Sequence, residues 1–311
     1  MTRIWPTRTV TRVAVVALAM VAGTACYAVV RQSGGVHMVA DQASWTPAPG
    51  GGVTSAPPPA SAVPSPSGAA SPSATPPSGA AGSSGAAEPS RTWSAWAILD
   101  RRTGAIVGSV NLADTNNTES MIKAWIASDD LRRLDGAHAN PSDAELALLS
   151  RMIRDSDDQA AQTVYLRDGA DAVVTRLIAT CGLTDTSVTK AWWSLTQMSP
   201  RDAVRMGACV ADGRAAGTRW TPWVLNEMRH IRGEGRFGVV DALPPGQART
   251  LAIKNGWTLH YAEREWNINC LAITDQWVLA VEIRFPAATG GLSHGAAICA
   301  DVARRTVASR P

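Results

Sequence analysis

The sequence lacks the features that mark nucleic-acid-binding and metal-dependent proteins. Its 29 basic and 26 acidic residues leave a net charge of only +3 over 311 residues, and so small an excess gives no electrostatic basis for binding nucleic acid. Neither a C-x-x-C nor an H-E-x-x-H motif occurs, and the histidines are scattered along the chain: His37, His138, His230, His260 and His294. We therefore expect no nucleic-acid partner, no metal and no cofactor.

Charge is also missing from most of the first ninety residues. Residues 13–30 form an uncharged, mostly apolar run flanked by arginines, close to the minimum length for crossing a bilayer. Because arginine-rich flanks stay in the cytoplasm, residues 1–31 are predicted to be a single-pass signal anchor that leaves the rest of the chain outside. A lipoprotein acylated at Cys26 is the first alternative, although Gly23-Thr24-Ala25 matches its cleavage signal poorly. A cleaved secretory signal is the second.

Residues 32–90 consist mainly of Pro, Ser, Ala, Gly and Thr, most strongly from about Trp45 onward. Such a segment cannot bury enough apolar surface to offset the entropy of ordering it, so we predict a disordered tether. A tether of this length lets a membrane-attached domain work within the cell wall. The remaining residues, 91–311, are enough for one large folded domain.

Hydrophobic patterning in residues 91–311 predicts two strands, a run of helices, three more strands and a final helix. Strands are expected at 93–99, 105–110, 250–254, 266–274 and 277–285. Helices are expected at 120–134, 142–154, 157–166, 170–180, 200–212, 220–228 and 295–307. This order is typical of an α+β fold. We expect an antiparallel five-stranded sheet flanked by helices, with an all-helical lobe inserted between the second and third strands.

The folded domain contains an even number of cysteines in a segment predicted to be exported, which favours disulfides. Four cysteines allow three pairings. We predict Cys181–Cys209, which links two helical segments, and Cys270–Cys299, which links a strand to the terminal helix that covers it. The alternative is four buried free thiols.

The first candidate functional motif is Ser120 with Lys123 three residues later. Residues three apart share a helix face, so the Lys123 amine can lie beside the Ser120 hydroxyl and accept its proton. Asn116 and Glu119 resemble a capping box, which would put Ser120 in the first helical turn, where free backbone N–H groups favour developing negative charge. The same pattern also fits an ordinary amphipathic helix.

Two further motifs follow downstream. Ser156-Asp157-Asp158 opens a predicted helix and by itself fits an N-cap. Lys254-Asn255-Gly256 lies on a predicted strand and by itself fits a lysine before a glycine bulge. The chain has only three lysines, and Lys123 and Lys254 both occupy motif positions. Lysine can release its proton and arginine cannot, so their retention in an arginine-rich chain indicates that an amine is needed there.

Together the motifs resemble the S-x-x-K, S-D-N and K-T-G set of class A β-lactamases and penicillin-binding proteins. The resemblance runs from about Arg91 to the C-terminus in the order of motifs and elements. Residues 152–161 resemble the second-motif helix, and residues 198–202 resemble the start of a later helix. The resemblance implies four catalytic roles: Ser120 as acylated nucleophile, Lys123 as its base, Ser156 as proton relay to the leaving nitrogen, and Lys254 as electrostatic partner.

The resemblance also implies where a substrate binds. The oxyanion hole would consist of the Ser120 and Trp257 backbone N–H groups. Arg264 or His260 would supply the cation for a substrate carboxylate, although either also fits a solvated turn residue. The other implied binding positions are Asp158, Asn255 and Gly256. The expected ligand is a cell-wall peptide or a β-lactam-like small molecule.

Several departures distinguish this chain from class A enzymes. The interval between Ser120 and Ser156 is shorter, which implies a trimmed helical lobe. Asp158 replaces an Asn, and Asn255 replaces a Thr or Ser. These changes fall inside the motifs, so they bear directly on how the site would work.

A further departure is the lack of any glutamate between Glu145 and Glu227. The deacylating glutamate of the family belongs near residues 184–196, and without it an acyl-enzyme has no residue to activate water. The pattern therefore does not fit an efficient β-lactamase. Three functions remain open: a tethered serine acyl-enzyme acting on cell-wall peptides, a degenerate relative that binds without turnover, and an unrelated extracytoplasmic domain. The motif lysines favour the first over the third, and Asp158 favours the second.

Overall fold

The structure is a computed structural model that describes residues 92–307. The predicted signal anchor and tether lie outside the described residues. None of the helices within 92–307 combines the length and apolar character needed to span a bilayer.

The strands form one six-stranded and one two-stranded sheet. They are β1 (Trp93–Asp100), β2 (Ile106–Gly108), β3 (Asn116–Asn117), β4 (Gln197–Met198), β5 (Ala252–Ile253), β6 (Gly256–His260), β7 (Glu265–Ile273) and β8 (Trp277–Pro286). β3 pairs with β4. The other strands form an antiparallel sheet in the order β2-β1-β8-β7-β5, in which β6 also pairs with β7. β5 and β6 thus share one position, interrupted at Lys254 and Asn255.

Most helices lie between β2 and β5 in the chain. The α-helices are α1 (Lys123–Gly136), α2 (Asp143–Arg154), α3 (Asp158–Arg167), α4 (Asp171–Cys181), α5 (Pro200–Ala211), α6 (Gly217–Arg229), α7 (Pro245–Thr250) and α8 (Leu292–Val307). Short 3-10 turns occur at Glu119–Ile122, Trp193–Leu195, Gly233–Gly235 and Gly238–Ala242. Helix α5 packs on β1, β7 and β8, while α8 packs on β7 and β8. With both faces of the sheet covered, β7 is buried from Asn267 to Ile273.

Both predicted disulfides are present. Cys181 at the end of α4 is joined to Cys209 in α5, with Cα atoms 5.5 Å apart. Cys270 in β7 is joined to Cys299 in α8, with Cα atoms 6.4 Å apart. The first disulfide holds the helical lobe against the helix that packs on the sheet, and the second fixes the terminal helix to the central strand.

The α+β architecture with an inserted helical lobe is confirmed, and several helix starts follow the sequence signals. Ser142 caps α2 in a capping box with Glu145. Ser199 caps α5, with Pro200 at the first helical position. In both cases the side chain satisfies a backbone N–H group that the first turn leaves free.

Two local predictions were wrong. The predicted strand at 250–254 is shorter than expected, because Thr250 ends α7 and only Ala252–Ile253 form β5. The strand at Gly256–His260 was missed, so the sheet has six strands rather than five. The predicted capping box at Asn116 and Glu119 does not form, because Asn116 pairs with Met198 in the small sheet.

Candidate active site

The side chains of the three sequence motifs converge where α1, α3 and β6 meet. Ser120 lies in the 3-10 turn that precedes α1, and Lys123 is the first residue of α1. Ser156 lies between α2 and α3, and Lys254 lies between β5 and β6. The Lys123 Nζ atom donates to the Ser156 carbonyl oxygen at 2.6 Å, and the Lys254 Nζ atom donates to Ser156 Oγ at 2.8 Å. Ser156 therefore contacts both lysines.

Ser120 itself is half-buried on a turn pressed against β6. Gly256 makes this close approach possible, because a Cβ atom there would lie 2.7 Å from the Thr118 carbonyl oxygen and 2.8 Å from the Met121 nitrogen. Any larger residue at position 256 would push the strand away from the turn that carries Ser120. Within residues 92–307 the Ser120 hydroxyl makes no hydrogen bond, so it is free of competing partners.

Lys123 is fully buried, and its ammonium is closely surrounded. It pairs with the Asp158 carboxylate, donates to the Ser156 carbonyl oxygen, and lies 5.0 Å from the centre of the Trp193 ring. Burial lowers the pKa of Lys123 below its ordinary value, and the negative charge of Asp158 opposes this shift. Burial thus shifts this amine toward the neutral form, which is the form that can accept a proton, while Asp158 acts in the opposite direction.

Lys254 is 1% exposed and has no carboxylate of its own. Burial, and next the positive charge of Lys123, lower the pKa of Lys254 well below its ordinary value, with Asp158 acting in the opposite direction. Two buried amines therefore share one carboxylate, whose side chain is 45% exposed. Two amines with one carboxylate leave an excess of positive charge when both amines are protonated, which favours the release of a proton or the binding of an anion.

Two of the predicted substrate-binding residues on this strand pack in different ways. Asn255 is 1% exposed, and its Nδ2 atom donates to the carbonyl oxygens of Gly235 and Phe237 at 3.0 and 2.9 Å. The structure thus turns this side chain toward backbone carbonyls, away from the lysines. The half-buried Trp257 ring packs edge-on against Phe237, with ring centres 5.7 Å apart.

The two candidate cations for a substrate carboxylate lie near the end of β6. Arg264 is exposed in the turn between β6 and β7, and its side chain makes no hydrogen bond to any residue in the 92–307 range. His260 is engaged, because its Nε2 atom lies 2.8 Å from Glu119 Oε1. This hydrogen bond raises the pKa of His260.

Glu119 is a residue whose contacts sequence reasoning missed. It is 3% exposed and has a positive φ of 47° immediately before Ser120. Its second oxygen accepts from Thr258 Oγ1 at 2.7 Å. Both carboxylate oxygens therefore bind β6, which holds the nucleophile turn in a backbone conformation that L-residues rarely adopt. No pattern in the sequence distinguishes this contact from a helix cap.

The space beside Lys123 is occupied by an indole ring. Trp193 is 3% exposed, and its Nε1 atom donates to Gln162 at 2.9 Å. The acidic residue of this segment, Asp185, instead binds Ser199 at 2.7 Å and pairs with Arg201. In this part of the molecule no carboxylate from residues 184–196 reaches the lysine amine.

Metal binding has no evident place in this arrangement. Among residues 92–307, no group of three or more His, Cys, Asp or Glu side chains is placed to hold a metal ion. The chemistry available at the site is that of a hydroxyl, two amines, a second hydroxyl and a carboxylate.

Comparison with known sequences finds distant relatives. No protein-family model matches the chain. Proteins of Mycobacterium tuberculosis and Mycobacterium bovis named "Putative lipoprotein LppW" are 30% identical over 176 residues. The match covers 52% of this chain and 52% of each relative, so the chain spans about half the length of the curated relatives it matches.

Comparison with solved structures identifies the fold. A variant of the last common ancestor of Gram-negative class A β-lactamases superposes with a TM-score of 0.56 at 16% identity, covering 70% of this chain and 92% of that one. A β-lactamase from Burkholderia vietnamiensis gives 0.55 at 15% identity, with 70% and 91% covered. The class A β-lactamase of Mycobacterium abscessus gives 0.54 at 15% identity, with 70% and 93% covered. The chain therefore has the fold of the superfamily of class A β-lactamases and penicillin-binding proteins.

Proposed function

We propose that this protein is an extracytoplasmic serine acyl-enzyme of the penicillin-binding type. Its substrate would be a cell-wall peptide or a β-lactam-like molecule that acylates Ser120. The observation that carries the proposal is that Ser156 contacts both motif lysines: Lys123 Nζ donates to its carbonyl oxygen, and Lys254 Nζ donates to its Oγ atom. Two buried amines with lowered pKa values and an unengaged hydroxyl three residues before one of them are the groups that activation of a serine nucleophile requires.

The proposed reaction uses each of these groups once. Ser120 Oγ attacks the substrate carbonyl carbon while its proton passes to the neutral Lys123 amine. The carbonyl oxygen becomes an oxyanion, which the Ser120 and Trp257 backbone N–H groups stabilise. When the C–N bond breaks, the Ser156 hydroxyl gives its proton to the leaving nitrogen and is reprotonated through the lysines. The products are an ester on Ser120 and a free amine.

We expect the ester to persist. Hydrolysis needs a base that activates water near the acyl carbon, and the segment that supplies it in class A β-lactamases contributes Trp193 here. The carboxylate in this segment that could activate water, Asp185, is paired with Arg201. The protein should therefore acylate and then release product slowly, as a penicillin-binding protein does rather than as an efficient β-lactamase.

The experiment is acylation by a fluorescent penicillin, followed by intact mass spectrometry. We expect a long-lived adduct of one penicillin per chain, absent from Ser120→Ala. Rapid multiple turnover of a chromogenic cephalosporin would contradict slow deacylation. A complete lack of adduct would contradict the acyl-enzyme proposal.

One observation favours a second candidate function, which is binding of cell-wall peptide without turnover. The Lys123 ammonium is held by Asp158 and by the Ser156 carbonyl oxygen instead of by Ser120. If that arrangement persists in solution, the amine cannot accept the serine proton. A penicillin that binds reversibly and equally well to wild type and Ser120→Ala, without an adduct, would establish this alternative.

We also propose that the protein is attached to the membrane by a lipid at Cys26. The support is the name of the LppW proteins, and it reverses the order of the two anchors considered from the sequence. Cys26→Ala should abolish incorporation of an alkyne-labelled fatty acid and release the protein from the membrane fraction. Retention of Cys26→Ala in the membrane without label would instead support the single-pass signal anchor at residues 1–31.

The proposed organisation has three parts: an anchor at 1–31, a disordered tether at 32–90 and a catalytic domain at 91–311. The support is compositional, since residues 32–90 offer almost nothing to pack. A fragment of residues 91–311 should be soluble and give the far-ultraviolet circular dichroism of a folded α+β protein. An unfolded fragment beside a folded full-length chain would contradict this boundary.

A further inference from the structure

A second polar pocket lies next to the candidate active site. Its volume is about 290 Å³, and its lining includes Asn116, His260, Glu265, Asn267 and Arg284. His260 belongs to both places, because it lines this pocket and also binds Glu119 beside the nucleophile. The motif residues Ser120, Lys123, Ser156 and Lys254 do not line it.

Two buried amide oxygens in this pocket have no partner. Asn116 is 2% exposed and Asn267 is 3% exposed, and the Oδ1 atom of each lacks a hydrogen bond. The Nε atom of Arg284 is also buried and without a hydrogen bond. Buried polar atoms are almost always paired, since each one left without a partner costs free energy. Their convergence on one pocket indicates a polar ligand.

Three charged side chains of the pocket form no ion pair among residues 92–307, whereas the fourth, His260, is paired with Glu119. Arg284 lies over the Trp93 ring, 4.5 Å from its centre, and neither Glu263 nor Glu265 forms an ion pair. Glu282 lies on the same face of β8; burial raises its pKa well above the ordinary value, and the charge of Arg284 opposes this shift. In the described part of the chain the two side chains form no ion pair, so the pocket presents one guanidinium and two carboxylates without an ion-pair partner.

The positions of these groups fit a ligand that carries both charges on neighbouring atoms. Asn267 lies directly opposite Arg284 in the register of β7 and β8, so their side chains leave the same face of the sheet side by side. A carboxylate can bind the guanidinium, while an ammonium a short distance away binds the amide oxygens and Glu265. We propose that this pocket binds the zwitterionic head group of an α-amino acid. Its volume of about 290 Å³ is large enough for such a group.

Binding of the head group is independent of acylation. If the proposed function holds, the pocket would receive a residue of the cell-wall peptide that carries a free amino and a free carboxyl group. That second step rests on the proposed function, and the following experiment separates the two.

The test is a titration of the full-length protein with D- and L-alanine, N-acetylalanine and alanine amide, followed by calorimetry or nuclear magnetic resonance. We expect binding of at least one alanine enantiomer. Removing either charge from the probe should weaken binding about tenfold or more, because each charged group loses its hydrogen bonds. Equal binding of N-acetylalanine, binding of Ca²⁺ with no binding of alanine, or no binding of any probe at millimolar concentrations would overturn the proposal.

Two variants locate the site. Arg284→Gln should weaken alanine binding about tenfold or more and leave alanine amide unaffected, since only the carboxylate contact is lost. Asn267→Ala should weaken the binding of both. Arg304→Gln, a matched change on the exposed face of α8, should alter neither. If Arg284→Gln fails to fold, the comparison of probes on the wild-type protein still decides the proposal. Penicillin acylation of Ser120, measured separately, reports on the proposed function alone.

Discussion

Helix α1 carries two groups of buried charge that are neutralised in different ways. At its first residue, Lys123 shares Asp158 with Lys254, so that two amines face one half-exposed carboxylate. Two turns later the fully buried Asp129 receives a two-nitrogen contact from Arg176 at 2.9 and 2.5 Å, and a second arginine adds another at 2.6 Å.

The arginines around Asp129 are suited to stabilising the helical lobe, and the lysines around Asp158 are suited to proton transfer. Guanidinium groups remain charged and can match a carboxylate with two hydrogen bonds, so the buried Asp129 has two arginine partners with fixed charge. Amines can lose their proton, and burial with too little negative charge lowers their pKa. The cluster at Lys123 and Lys254 thus contains amines that can release a proton, and the cluster at Asp129 contains guanidinium groups whose charge stays fixed.

The strongest test replaces the amine by a guanidinium in the cleft. Lys123→Arg should reduce the acylation rate constant by about 10²- to 10⁴-fold, which is the usual contribution of a general base. The rate is measured with a fluorescent penicillin, and the melting temperature reports whether the larger group fits.

The matched control is Lys190→Arg, the same change at the exposed third lysine. It should leave the rate unchanged. Lys123→Met serves as a second variant if the guanidinium disrupts packing. An acylation rate in a folded Lys123→Arg protein that equals the wild-type rate would show that the amine is not the base.

The converse test removes the buried carboxylate from the arginine cluster. Asp129→Ala should lower the free energy of unfolding by about 1–3 kcal/mol, because the partly exposed guanidinium groups of Arg132 and Arg176 lose their buried counter-charge. Urea denaturation measures the loss. Asp301→Ala, which breaks an exposed pair with Arg305, should change stability by less than about 1 kcal/mol. If both variants cost the same, the cluster does not stabilise the lobe as argued.

The arginine cluster should also make stability depend on pH. Burial, and next the charge of Asp168, raise the pKa of Asp130 to about 6, against the pull of Arg167. In the unfolded chain this carboxyl titrates near 4. Between these values the folded state binds more protons, so the contribution of protonated Asp130 is complete below about pH 4 and is lost as the pH rises through about 6.

Asp130→Asn should remove this dependence. The amide can still accept from Arg167 and donate to Asp168, so the fold is preserved. Relative to wild type, the variant should gain on the order of 1–3 kcal/mol in free energy of unfolding between pH 4 and pH 7. Urea denaturation at several pH values gives this difference and cancels the contributions of other carboxyls. A constant difference across the range would mean that Asp130 is ionised throughout.

The sequence predicted the parts of the molecule that depend on local patterns. The helices predicted at 142–154 and 200–212 begin at local capping signals, and both are present in the structure. The two predicted disulfides, which were inferred from the elements that they link, are also present. The α+β order follows from hydrophobic periodicity. The scarcity of lysine in the chain drew attention to Lys123 and Lys254, and in the structure both contact Ser156.

What the sequence could not reveal depends on contacts between distant segments. Glu119 resembles a helix cap, but its partners Thr258 and His260 are some 140 residues away and are reached only when β6 folds against the turn. Trp193 lies in an irregular segment whose path has no periodic signal. Asn255 was assigned to the substrate-binding site by its motif position, but its side chain donates to the carbonyl oxygens of Gly235 and Phe237. No sequence pattern predicts that this loop lies beside Asn255.

The smallest expected effect concerns Asp158, the carboxylate shared by the two lysines. It opposes the lowering of the Lys123 pKa, so it keeps more of the amine protonated and unable to accept the serine proton. Asp158→Asn retains a hydrogen-bond acceptor for Lys123 but removes the charge. The pKa of Lys123 should fall further, and the acylation rate should rise by roughly tenfold at most, because the carboxylate is half-exposed and partly screened. The rise should be largest at lower pH, where wild-type Lys123 is most fully protonated, and should shrink as the pH increases.

The measurement is the acylation rate constant of both proteins across the pH range. An equal or lower rate in the Asn variant at every pH would show that Asp158 supports the chemistry instead of restraining it, or that Ser120 does not use Lys123 as its base.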